Sequence, residues 1–455
     1  MAHTLSITDG TTTVTLSSGN QYLSRYTPET AWNNEDVSER VMVGFTGATI
    51  TDAVTTLRTI STLFEQARRW DKYKTGPRVF VNFDPGATGT AYRSLLRRGN
   101  LNLNEKTLKE HWGGQNLELE LELTRQGFWE GPETALSMTS FATALNTTVS
   151  IMNKSDSDGG NYVTIASTDI VLGDMPAPMK LTFTDTTPMA LMSINMHEVY
   201  IFHNVDSNPA TFTHILEAES SSDVSGSAST DCSNGSYAAL SWATTTDTFL
   251  CSWNISNTQV DAMAGGKFVV AMAEHPAIPS SAETKYVSVK IANTSAYGNP
   301  YYVGPKTQEV KSFNSPTIID TIRIPQALQS TTTYSGVRME LWGFSPTTDT
   351  HTLPVDFLML GPVSSDGGWM RIKSALGGIE GITLNEKFVV NEYDDAVYVE
   401  RSSQKSAELT LYGGPILLVP NKTQRLYFMI SAYQGTFRWS TADINISYRP
   451  RYRVL

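Results

Sequence analysis

A helical apolar period occurs once in this chain, and nearly every other patterned stretch repeats with a period of two. Residues 51–72 put Val54, Leu57, Ile60, Phe64 and Ala67 at helical spacing. That spacing makes one apolar face and predicts a single amphipathic helix. Asp52 stands where it can cap the helix start, and Arg68, Arg69 and Lys72 fill the last turn, where cations oppose the negative end of the helix dipole. Gly76-Pro77 closes the unit. The clearest alternation is Leu117-Glu118-Leu119-Glu120-Leu121-Glu122-Leu123, with leucines on one face and glutamates on the other. A strand with that period buries the leucine face, at ~1.5–3 kcal/mol per side chain, and the helix is expected to cover its sheet.

The period-two segments start at once. Leu5-Ser6-Ile7-Thr8 and Thr13-Val14-Thr15-Leu16 flank Asp9-Gly10, a strong hairpin signal. Val37 to Phe45, Val79 to Phe83 and Tyr92 to Asn102 follow. Residues 133–160 lose periodicity, and 153–160 reads as a loop or linker. From Tyr162 onward short strands recur at even spacing with turn residues between them, through Val355 to Leu360. That is the pattern of a sandwich or jelly roll. A last group runs from Lys387 to Tyr448, Ser220 to Ser236 reads as a long polar loop, and Pro325 to Leu328 as a short helical turn. The expected fold is therefore mainly β: an N-terminal α+β unit in which one helix covers a sheet (1–135), a jelly-roll-type β-sandwich region (160–380) and a C-terminal β segment (383–455).

With 455 residues the chain has room for about three domains. Only 17% of residues are charged, below the roughly 25% of ordinary soluble domains. The net charge of −11 disfavours nucleic acid, whose affinity rests on clustered Lys and Arg. Charge is uneven: residues 51–125 hold 12 Lys/Arg against 9 Asp/Glu, whereas Leu181 to Gly266 holds nine Asp/Glu and no Lys or Arg. A basic module and an acidic one could meet head to tail in an assembly; simple drift of surface charge is the other reading. The first residues carry neither a basic nor an apolar leader, so no secretory signal is expected. No run of eighteen apolar residues occurs, so no membrane partner is expected.

Several residues could carry chemistry. No G-x-S-x-G is present, and the seven histidines are scattered, so no nucleophilic triad is expected. Glu217-Ala218-Glu219 and Asp394-Asp395 are paired acids. On one strand face Glu217 and Glu219 would stand about 7 Å apart, suiting a calcium ion, a sugar or acid–base work on a glycoside; solvated acids at a strand end are the plainer reading. Tyr237, Trp242 and Trp253 follow closely and either form a sugar-stacking platform or fill the core. Cys232 and Cys251 could pair, but spacing alone does not decide it.

Two stretches resemble a known family. Ser38-Glu39-Arg40 entering a strand, the helix with Leu63-Phe64-Glu65-Gln66-Ala67-Arg68-Arg69, and the strand ending in Thr124-Arg125-Gln126-Gly127-Phe128-Trp129-Glu130-Gly131-Pro132 resemble the belt domain of distal tail proteins of long-tailed phages. Leu411 to Pro420 and Arg425 to Phe428 look like the closing segment of phage tail proteins. The resemblance implies a tail-tube-like sandwich that closes into a ring, sixfold by likeness, in the virion tail tip. Its partners would be copies of itself and other tail proteins, with assembly in the host cytoplasm. Residues 215–275 are similar to carbohydrate-binding modules of jelly-roll type, which implies a structural calcium at Glu217 and Glu219. The expected function is a non-enzymatic tail-tip or baseplate component. The alternatives are an adhesin recognising host surface glycans and a polysaccharide-degrading enzyme.

Overall fold

The computed structural model describes residues 3–17, 21–30, 35–46, 50–86, 89–102, 116–140, 145–153, 155–156, 159–165, 171–186, 198–205, 215–230, 232–263, 265–275, 284–293, 300–309, 316–324, 337–363, 368–374, 382–394, 396–406, 409–431 and 441–455. The fold is mainly β. It divides into two compact units, Met1–Thr134 with Leu172–Ala177 and Arg449–Leu455, and Ala135–Val171 with Pro178–Tyr448.

The first unit is a nine-stranded antiparallel sheet. Its main path runs Thr13–Thr15, Thr4–Thr8, Phe80–Asp84, Tyr92–Leu101, Asn116–Arg125, Val37–Thr46, Gln21–Arg25, with Trp129–Glu130 and Arg451–Tyr452 joined beside Tyr92–Leu101. The expected first hairpin is present: Asp9 Oδ1 accepts the N–H groups of Thr11 and Thr12, and Gly10 takes φ +88°, which glycine adopts without a Cβ penalty. Tyr92–Leu101 joins the two halves of the sheet. Tyr92 to Leu95 pairs with Phe80 to Phe83, then the register shifts between Leu96 and Arg98 and the strand pairs with Leu121 to Arg125. Such a bulge bends a sheet, and the apolar faces of both halves share one core with the helix Ile50–Tyr73. Leu57, Ile60, Leu63, Phe64 and Ala67 are buried against Leu119, Leu121 and Leu123, as the two periodicities predicted. The helix comes close because Gly99 lies beneath it: a Cβ there would stand 2.2 Å from Phe64 Cδ1.

The second unit is two sandwiches, one inserted in the other. In the first sandwich, a six-stranded sheet runs Met138–Thr139, Tyr162–Ile165, Gln424–Ile430, Glu198–Val205, Trp369–Ser374, Leu409–Gly413. It faces an eight-stranded sheet with the path Thr148–Met152, Thr441–Tyr448, Ala177–Asp185, Lys387–Asn391, Ala396–Arg401, Gln404–Ser406, and Phe183 meets Phe428 edge-on between them. Residues 215–362 make the inserted sandwich. One sheet runs Gly226–Ala228, Ser236–Trp242, His351–Pro362, Lys267–Glu274, Thr317–Arg323, with Ile215–Glu217 on His351–Pro362; the other runs Thr248–Ile255, Val337–Phe344, Tyr286–Asn293, Pro300–Val303, with Thr307–Gln308 on Tyr286–Asn293.

The sheets do not follow the boundaries read from the sequence at 160, 380 and 383. Strands after 383 pair with strands before 206, so 383–455 is not a segment apart. The reason is topological: a chain interrupted by an inserted sandwich must return to close the first one, and a period of two does not say which strand is the partner. Residues 155–156 and 159–160 form a small hairpin where a loop was expected. The stretch from Ser220 to Ser236 contains the edge strand Gly226–Ala228 and a 3-10 turn at Ser233–Gly235. The turn expected at Pro325 to Leu328 lies outside the described residues.

Candidate functional site

In the first unit, the motifs that carried the family resemblance meet. Val37 pairs with Arg125 and Ser38 with Thr124, which brings Glu39 and Arg125 together in the interior. Both are buried and form an ion pair. Arg125 also donates to the carbonyls of Glu29 (2.7 Å) and Gln126 (2.9 Å), and its guanidinium lies 4.3 Å from the centroid of the Trp129 ring. Glu39 accepts the Tyr26 hydroxyl at 2.8 Å and the Glu29 N–H at 2.8 Å. Burial, with Glu39 beside it, pushes the Tyr26 phenol far above its ordinary value. This hub pins strand register and offers no reactive group.

The acids singled out in the inserted sandwich are also held by neighbours. Glu217 ends its strand, while Glu219 lies in the 3-10 turn Ala218–Ser220. They therefore do not share a strand face, contrary to the expectation, because the backbone turns between them. Ser233 Oγ donates to Glu217 Oε1 at 2.6 Å, and the Ser233 N–H donates to both oxygens of buried Asp356, at 3.0 and 3.3 Å. Asn234 Nδ2 donates to Glu219 Oε1 at 3.1 Å, and burial raises the Glu219 carboxyl. Asp223 accepts the Ser252 hydroxyl at 2.6 Å. The polar loop is thereby tied to the sheet.

Oxygen donors of this kind suit calcium in chemistry, yet calcium takes six to eight of them. Among the described residues no group of three or more His, Cys, Asp or Glu side chains converges. Nor do Glu217 and Glu219 face each other across a groove as glycoside hydrolysis needs. Asp394 accepts Asn391 Nδ2 at 2.9 Å, and Asp395 lies outside the described residues.

The aromatic trio divides. Trp242 and Trp253 are 4% and 5% exposed, and Trp253 Nε1 donates to the Glu217 carbonyl at 2.7 Å. Both fill the core, so the sugar-platform reading fails for them: their strands turn those faces toward the opposing sheet. Tyr237 is half-buried and meets His275 edge-on at 4.5 Å. Cys232 and Cys251 are both buried and unbonded to each other. His203 is buried against Gln424 (3.0 Å), and burial lowers it to about 4.

Among the described residues no helix is long and apolar enough to cross a membrane. No family model matches the chain, and no curated protein matches it in sequence. Solved structures similar to it include phage and virus proteins. The Dit protein of phage SPP1, described as a paradigm of hub adsorption apparatus in phages that infect Gram-positive hosts, is 9% identical, with 99% of each chain covered and a TM-score of 0.29. A chain of the phage p2 baseplate in its activated conformation is 10% identical over 78% of this chain and 98% of that one, at TM-score 0.20. A chain of infectious bursal disease virus, Gx strain, is 7% identical over 71% and 82%, at TM-score 0.19. Likeness at that level decides neither family nor function.

Proposed function

We propose that this chain is a non-enzymatic structural subunit of a bacteriophage tail tip or baseplate, in which the first unit closes into a ring with copies of itself. The observation that carries the reading is the sheet of that unit. It ends in Thr13–Thr15 on one side and Gln21–Arg25 on the other, and among the described residues neither strand has a second partner. Edge strands offer unpaired N–H and C=O groups to another chain. A head-to-tail ring joins two different surfaces of each subunit, and the two edge strands offer such a pair. The motif residues of the resemblance support the same reading, since they build the buried Glu39–Arg125 hub between the strands that lead to one of those edges.

Other tail proteins are the partners that follow, and the virion tail is the location. Glycan recognition through Tyr237, Trp242 and Trp253 has no exposed platform to rest on. The test is imaging of the purified chain by negative stain together with native mass spectrometry. Closed rings of one defined copy number are expected. A strictly monomeric species at the highest soluble concentration would falsify the ring.

A further inference from the structure

The six-stranded sheet of the second unit turns two rows of side chains toward the inserted sandwich. The pairing registers set Tyr162, Tyr427, Phe202 and Trp369 in one row, and Met429, Tyr200, Arg371 and Tyr412 in the next. The inserted sandwich covers the middle of these rows. Phe202, Tyr427 and Met429 share its core, and a Cβ on Gly361 would stand 2.6 Å from the Phe202 ring. Toward the Leu409–Gly413 edge the cover stops among the described residues, and Trp369 is 36% and Tyr412 47% exposed. The step between covered and bare sheet is a cleft of about 380 Å³, within the roughly 300–1,000 Å³ of ligand sites. Tyr200, Phe202, Trp369 and Arg371 line it from the sheet, and Val269, Gln308, Ile318 and Thr321 from the inserted sandwich.

The lining says what fits. An exposed indole offers a flat apolar surface. Around it stand hydrogen-bonding groups of three kinds: a guanidinium, a primary amide and a hydroxyl. The Arg371 guanidinium is held in place, since its Nε pairs with buried Glu198 and its Cζ lies 5.3 and 5.4 Å from the Tyr200 and Tyr412 ring centroids. That ion pair also cancels its charge, so the cleft favours a ligand without net charge. A molecule with an apolar C–H face and a rim of hydroxyls matches such a lining, and a sugar ring is that molecule.

We propose that this cleft binds a neutral saccharide of one or two rings, stacked on Trp369 and hydrogen-bonded by Arg371, Gln308 and Thr321. The site is distinct from the Glu217–Glu219 corner and does not depend on the ring reading. Sheet strands carry most of it, which keeps it preorganised.

The test titrates the full chain with maltotriose, cellobiose, lactose and diacetylchitobiose, read by tryptophan fluorescence and saturation-transfer NMR. At least one sugar is expected to bind saturably. Trp369→Ala should weaken that binding roughly tenfold or more, about 1.4 kcal/mol. Gln308→Ala should weaken it less, and Tyr237→Ala should leave it unchanged. Matching thermal unfolding of each variant separates a lost contact from a lost fold. The proposal is overturned by no saturable binding at millimolar sugar, by binding indifferent to Trp369→Ala, or by self-association that Trp369→Ala abolishes, which would make the cleft an interface between copies.

Discussion

Arg125 and Glu392 show two ways of burying a charge. An isolated buried guanidinium costs several kcal/mol, but Arg125 has a carboxylate, two carbonyls and an aromatic face around it. Glu392 is less well served. Its Oε1 accepts the Ile416 N–H at 3.2 Å, while Oε2 is buried with no hydrogen-bond partner among the described residues. Burial outweighs the N–H groups of Ile416 and Met179 and raises the carboxyl from its ordinary 4.5 to about 8. The folded chain therefore holds this proton more tightly than the unfolded chain does. The contribution of this carboxyl to stability is constant below pH 4.5, falls as pH rises from 4.5 to about 8, and falls no further above that. Glu392→Gln should flatten that decline in urea midpoints measured across the same range; an unchanged slope would show that the carboxyl titrates normally. None of this was legible in the sequence, where Glu392 is one acid among many and its surroundings come from residues far along the chain.

At the scale of elements, burial on two faces explains the sequence better than burial on one. His351–Pro362 is buried along nearly its whole length, because one face meets the opposing sheet of its own sandwich and the other meets Phe202. Its run Phe357-Leu358-Met359-Leu360 could be read as a strand, but not as a layer between two sandwiches. The helix and its buried face were legible, since one apolar stripe has one place to go, but Asp52 lies in the first turn rather than at the cap, and Lys72 is the basic residue of the last turn. What set the helix's distance from the sheet was not legible: Gly99 interrupts a strand with no obvious motive until Phe64 is seen over it. Gly99→Ala should cost ~1–3 kcal/mol by overpacking and Phe64→Ala ~3–5 kcal/mol by leaving a cavity. The double variant should cost clearly less than the sum, because the clash needs both side chains. Additive losses in denaturant unfolding would assign Gly99 some other role.

Across the whole molecule, the chain leaves the first unit, returns to it at Leu172–Ala177, and returns again at Arg449–Leu455. The final return is well bonded. Arg451–Tyr452 pairs with Trp129–Glu130, Arg451 reaches Glu130 at 3.2 Å, Gly131 N–H donates to the Pro450 carbonyl at 2.7 Å, and Tyr452 meets Tyr92 edge-on. Deleting residues 449–455 should lower the stability of the first unit by at least ~1.5–3 kcal/mol, the worth of one charged hydrogen bond. Hydrogen exchange should show protection lost within residues 1–134. Unchanged protection there would mean that the tail end is an ornament on a sheet already complete.

The sequence by itself determined the element types, because periods of two and 3.6 are local and each dictates its own backbone. It determined the first hairpin and the long helix with its buried face, but not the seven-residue helix Asn257–Met263. Trp369-Met370-Arg371-Ile372-Lys373 also sets a tryptophan in phase with two cations, hence on the polar face of its strand. Tertiary structure decided the rest. It chose which strands pair across two insertions, sent Trp242 and Trp253 inward while leaving Trp369 outward, and turned the backbone between Glu217 and Glu219. Those outcomes depend on which face of each strand another sheet covers, and that is a property of partners hundreds of residues away.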